Sequence, residues 1–231
     1  MNKAKPWLVG ALLAVACWVF WSSFLQSPPE LSRAYEVRRL ALEQLATHLL
    51  PTVEGKRVLV LSNPFTQERG KNGNARRFEE AAIAGLRQGF GDEKDVLIVF
   101  PSIKPEYREH PERAVFPPDS KTPLSFLMEP SAVDQLVSEY PDCTLIVSLV
   151  GLPVGIENQT VWKGAHRFGL LLPDLRILGS KRKAASAFQD GKLLAAVVND
   201  PQTDEPLIVD SSNIEQILAD RPKLLGFKQG R

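Results

Sequence analysis

The apolar positions of this chain change their spacing twice. Over residues 7–25 they run without a charged residue, about the 20 positions a helix needs to cross a bilayer. Over 31–50 (LSRAYEVRRLALEQLATHLL) they thin to a helical repeat of Leu42, Leu45, Ala46 and Leu49, with no proline or glycine inside. Arg38 and Arg39 break any sustained heptad there. Beyond residue 55 the pattern becomes short apolar runs separated by helical stretches. RVLVLS (57–62), DVLIVF (95–100), TLIVSLV (144–150), 168–172 and 193–198 read as buried strands. Helices are predicted over 76–90, 131–139 and 213–219, with another between 172 and 193. Ser131, with Asp134 behind it, is the expected cap of the second.

Strands that are apolar on both faces and alternate with helices predict a parallel sheet covered on both sides. The expected class is α/β: a single doubly wound, mostly parallel sheet with helices on both faces, preceded by an N-terminal transmembrane helix. The pattern divides into a short cytoplasmic tail (1–6), a transmembrane signal anchor (7–25), a juxtamembrane helical linker (26–51), an extracytoplasmic α/β domain (52–222) and a tail (223–231). The proline- and charge-rich stretch 101–130 is a long insertion between a strand and a helix; such loops tend to be functional or mobile.

Composition narrows the function. Of 231 residues, 44% are hydrophobic and 24% charged, and the formal net charge is +1, which gives no electrostatic reason for a nucleic-acid partner. Two cysteines, Cys17 in the apolar run and Cys143 far from it, neither pair nor form a metal motif. Three scattered histidines suggest no site. The N-terminal run allows three readings. A cleaved signal peptide would end at a small-x-small site, and no clean one precedes Gln26. A lipoprotein attached through Cys17 fits Ala14-Val15-Ala16-Cys17, but Trp18-Val19-Phe20-Trp21 follows where a polar tether belongs. An uncleaved anchor fits Lys3 and Lys5 ahead of the run, and places the body outside the cytoplasm, periplasmic in a Gram-negative cell.

Ligands of open parallel sheets gather outside the carboxyl ends of the strands. That rule selects Asn63 after the first strand, Gly151 after the third, and Asn199 and Asp200 after the last. Arg76 and Arg77 begin the 76–90 helix, where the dipole disfavours cations. They either hold an anion or are solvated, with Glu79 and Glu80 one turn away to satisfy them. A second basic cluster, Lys181-Arg182-Lys183, would face the same edge if Ser180 caps its helix. No G-x-S-x-G, H-E-x-x-H, Walker A or G-x-G-x-x-G pattern occurs. No catalytic residue, metal or cofactor is therefore expected.

RVLVLSNPF, then a helix ending AAIAGLRQGFG, then DVLIVF and AVDQLVSEYPDCTLIVSLVGLP resemble one lobe of the type 1 periplasmic binding proteins. The resemblance runs from Lys56 to about Asp200. It implies an extracytoplasmic domain that binds a small solute at the strand ends, although that family closes two lobes and this chain has residues for one. The expectation is a membrane-anchored binding or interaction module for a small polar or anionic solute. A structural subunit of an envelope complex, contacting an envelope protein or a second copy, is the alternative. A carboxylate-dependent hydrolase is a third reading.

Overall fold

Each of the five runs read as a strand forms one, and with a sixth they make a single sheet. In the computed structural model, which describes residues 29–52, 55–67, 73–110, 113–203 and 205–228, the strands are β1 (Arg57–Leu61), β2 (Asp95–Val99), β3 (Leu145–Ser148), β4 (Arg167–Leu171), β5 (Leu193–Asp200) and β6 (Glu205–Asp210). Their order is β2-β1-β3-β4-β5-β6, all parallel except β6, which returns antiparallel beside β5. The order reverses between β1 and β3. β6 has no counterpart in the sequence reading. Its apolar part is only Leu207, Ile208 and Val209, and Pro206 reads as a break; at the sheet edge a proline is tolerated. The expected spanning segment 7–25 lies outside the described residues, among which no helix is long and apolar enough to cross a membrane.

Two long helices cover one face. α1 (Pro29–Leu49) buries Leu42, Leu45, Ala46 and Leu49, the stripe predicted from spacing, and Ala41 beside them. α2 (Gly73–Phe90) presents Ala82, Leu86 and Phe90. The helices cross closely because Gly85 and Gly89 leave no side chain between them. A Cβ at Gly85 would run into the Arg39 carbonyl, and one at Gly89 into the Glu43 carbonyl. α1 starts at the carboxyl edge and ends at the opposite one, where His48 meets Asp210, at 3.2 Å. α2 begins three residues earlier than predicted, so Arg77 falls in its second turn.

The other face is assembled from short pieces. The 101–130 insertion folds back on the carboxyl edge with α3 (Pro105–Glu109), α4 (Leu124–Leu127) and a bridge between Ile103 and Met128. α5 (Ala132–Glu139), α6 (Thr160–Lys163), α7 (Lys181–Gln189) and α8 (Ile214–Asp220) follow. Ser131 stands at the start of α5 without making the expected side-chain cap. Asp134 instead accepts from the Thr160 and Val161 backbone N–H groups at 2.9 and 2.7 Å, capping α6. Ser180 does cap α7, accepting from the Lys183 N–H at 3.2 Å.

Candidate functional site

The six candidate residues, four from the strand-end rule and two from the helix start, lie along one edge but do not meet in one place. Gly151 is buried under the insertion. At φ +80° only glycine is at ease, and a Cβ there would run into Ser125 Oγ. Ser125 Oγ donates to the Val150 carbonyl at 3.2 Å, so the insertion closes the end of β3. Asp200 is engaged by Arg221 Nη2 and accepts from the Gln202 N–H at 2.8 Å; the Arg221 bond holds its carboxyl below the ordinary carboxylate range. It ties the β5–β6 turn to the segment after α8.

Asn63 and Arg76 flank a cleft at the ends of β1 and β2. Asn63 Oδ1 accepts from the Phe65 N–H at 3.0 Å and closes the turn that leaves β1. The cleft beyond it, about 400 Å³, is lined by Ser62, Thr66, Gln67, Arg76, Glu79 and Phe100 among others. Arg76 Nε donates to Glu80 at 2.9 Å, and Arg77 is exposed beside it. Glu79 turns the other way. It is buried and accepts from Arg38 Nη2 at 2.7 Å and from Ser62 Oγ at 2.7 Å, while Arg38 Nε donates to the Phe78 carbonyl at 3.0 Å. One carboxylate thus fastens α1, α2 and the end of β1 together. Two acids in the cleft and a paired Arg76 make it a poor anion site.

Asn199 belongs to a different cavity. It reaches about 350 Å³ between the first turns of α1 and the ends of β4 and β5. Val37, Phe78, Leu171 and Leu172 form its apolar walls; Arg33, Arg38 and Asn199 are its polar groups. A mostly apolar hollow with a few convergent polar groups is the usual form of a small-molecule site. Leu172 is held at φ +43°, the single non-glycine residue with positive φ among the described residues, and its N–H donates to the Val197 carbonyl at 2.8 Å. Sequence reasoning reached Asn199 through the strand-end rule but not the α1 wall, because nothing in the spacing puts a helix start over the end of β5.

On the opposite face Ser180 fixes the register of α7, so Lys181, Arg182 and Lys183 begin their helix at the carboxyl edge. Lys181 Nζ donates to the Leu218 carbonyl at 3.1 Å, and Lys183 pairs with Glu157 at 3.0 Å. The two basic helix starts share an edge but lie on opposite faces of the sheet. Cys143 is buried at the other edge, and burial pushes its thiol up, which suits packing and not attack. Among the described residues no three His, Cys, Asp or Glu side chains group as a metal site.

No protein-family model matches the chain, and no curated protein matches it in sequence. Solved structures do. A carbohydrate transporter from Acidothermus cellulolyticus 11B, in complex with myo-inositol, matches at 10% identity and TM-score 0.48, over 81% of this chain and 62% of that one. An ABC transporter periplasmic solute binding protein from Actinobacillus succinogenes 130z with bound D-allose matches at 12% and 0.47, over 78% and 62%. A putative LacI transcriptional regulator from Bacteroides fragilis matches at 9% and 0.46, over 78% and 61%. The chain spans about 62% of the length of the first two. These are periplasmic solute-binding and LacI-like proteins, the kind that the run from Lys56 to Asp200 resembles in sequence. With TM-scores below 0.5, the likeness carries nothing about ligand, partner or location.

Proposed function

We propose that this chain is a membrane-anchored, extracytoplasmic binding module that holds a small polar or monoanionic solute in the cavity between α1 and the ends of β4 and β5. Residues 7–25 are its anchor, 1–6 a cytoplasmic tail, 26–51 the segment leading into the 52–222 domain and 223–231 the closing tail. The observation that carries the reading is Leu172. A leucine at positive φ costs stability, and such outliers cluster where a ligand is clamped. The solute's apolar part packs on Val37, Phe78 and Leu171, its acceptor faces Arg33 and Arg38, and Asn199 supplies an amide. Two guanidinium N–H groups of Arg38 are already committed to Glu79 and Phe78, so the charge on offer suits a monoanion or a neutral acceptor better than a dianion.

The test is a thermal-shift panel on the full chain in detergent with monocarboxylates, amino acids, sugars and inorganic phosphate. A true ligand at about 100 times its Kd adds roughly 2.7 kcal/mol. The shift is expected to vanish in Asn199→Ala and to persist in Arg76→Ala/Arg77→Ala. Loss in the arginine pair with retention in Asn199→Ala would move the site to the cleft at β1 and β2. A flat panel across every class sinks the solute-binding reading.

A further inference from the structure

The carboxyl edge carries more than cavities. Val115 is 88% exposed, Val154 45% and Phe116 38%, three of the four large hydrophobic residues most open to solvent among the described residues. They sit together around Ser125 and Phe126: the Phe116 and Phe126 rings are 6.5 Å apart, and the Val154 N–H donates to the Ser125 carbonyl at 3.2 Å. Exposed apolar groups so gathered mark an interaction surface. At the same edge stand the basic helix starts, with Arg76, Arg77 and Arg182 all exposed. Arg76, paired with Glu80, and Arg182 stand in first turns, where their sign is unfavourable toward the helix dipole, and the exposed charges are favourable toward an anionic surface.

What that surface meets follows from α1. Arg33 and Ala34 line the cavity beside Leu172 and Asn199, so α1 enters the fold at the carboxyl edge, and Pro29 lies one turn further out. The apolar run ends at residue 25, leaving only residues 26–28 between it and α1. Fully extended, that connection spans about 14 Å. We infer that the carboxyl edge of the sheet faces the bilayer, with Val115, Phe116 and Val154 seated among the headgroups and the basic helix starts toward anionic lipid. This rests on the membrane-anchor reading above and adds an orientation to it. The solute cavity then opens toward the membrane surface, and the opposite edge points away from it.

Hydrogen exchange read by mass spectrometry tests this on the full chain. It is reconstituted in vesicles of phosphatidylcholine with phosphatidylglycerol, in phosphatidylcholine alone, and in detergent micelles. Flotation with the vesicles is scored first. Peptides covering 113–127 and 151–156 are expected to exchange several-fold more slowly on the anionic vesicles than in micelles, while 90–95, 139–143 and 189–192 at the opposite edge stay unchanged. Val115→Asp/Phe116→Asp should remove the slowing with strand exchange unaltered, and Arg76→Gln/Arg77→Gln should reduce its dependence on anionic lipid by two- to fivefold. A chain that floats but shows no slowing, or slowing at the opposite edge, overturns the orientation and leaves the anchor standing. A chain that fails to float overturns the anchor and the orientation with it.

Discussion

The two faces of the sheet are built on different principles. Over one lie α1 and α2, long, nearly in backbone contact at Gly85 and Gly89, and locked by Arg38 and Glu79. Over the other lie four short helices, turns of 3₁₀ helix at Leu175–Leu178 and Pro222–Leu225, and the folded-back insertion. Both bury an apolar layer, and the pieced face buries the larger one, with 29 buried core residues against 16 among the described residues. The first face depends on two rigid bodies fitting closely, and one wrong atom is felt along its length. The second distributes its contacts over many small segments, each replaceable or able to open alone. The candidate cavity sits where the rigid face overhangs the edge, and the insertion belongs to the divisible one.

That contrast is broken most directly at Gly85. Gly85→Val places a branched side chain against the Arg39 backbone, and a loss of about 4 kcal/mol or more is expected by urea unfolding. A loss under about 1 kcal/mol would mean that α1 yields as easily as the opposite face. Arg38→Ala comes next. It leaves the buried Glu79 carboxylate without its cation, which for such pairs costs about 3 kcal/mol; the same unfolding curve, with wild-type m, measures it. The smallest effect belongs to acid. Asp174 is buried, which pushes its carboxyl up, but hydrogen bonds from Arg176 and Ser120 outweigh burial and hold it below the ordinary value. Arg176 also bridges to Asp119 of the insertion at 2.9 Å, and that bond lowers Asp119 too. Folded pKa values that lie below the unfolded ones give stability that is present above about pH 4 and lost as pH falls through the folded values. Limited proteolysis should then cut within 101–130 before the far-UV CD changes. Simultaneous loss of both signals would show that the insertion is no separate unit.

Periodicity made the layers legible. Leu42, Leu45 and Leu49 announced the buried stripe of α1, and the strand runs announced the sheet, because burial on one or both faces writes itself into spacing. Pairings between distant residues leave no such mark. Glu79 and Glu80 stood equally near Arg76 and Arg77 in sequence. The fold gives Glu80 to Arg76 and sends Glu79 to Arg38 on another helix. Asp134 looked like half of a cap for its own helix and serves α6 instead, 26 residues on. The carboxyl-edge rule selected one rim of the sheet, but it could not foresee that the insertion closes Gly151 or that Arg221 occupies Asp200. The helix that lines the Asn199 cavity was visible as a helix and invisible as a wall.

The position of α1 also sets a timetable. It is the first described element a ribosome makes, yet it lies across β4, β5 and β6, whose last residue is Asp210. Its apolar stripe has no sheet to cover until synthesis is nearly complete, and contacts so far apart in sequence form slowly. α2, finished by Phe90, is the early companion. The glycine seam allows the two helices to close on each other before the later strands exist, which would cover the stripe at Ala46 during the interval when an unfinished protein is most prone to aggregate.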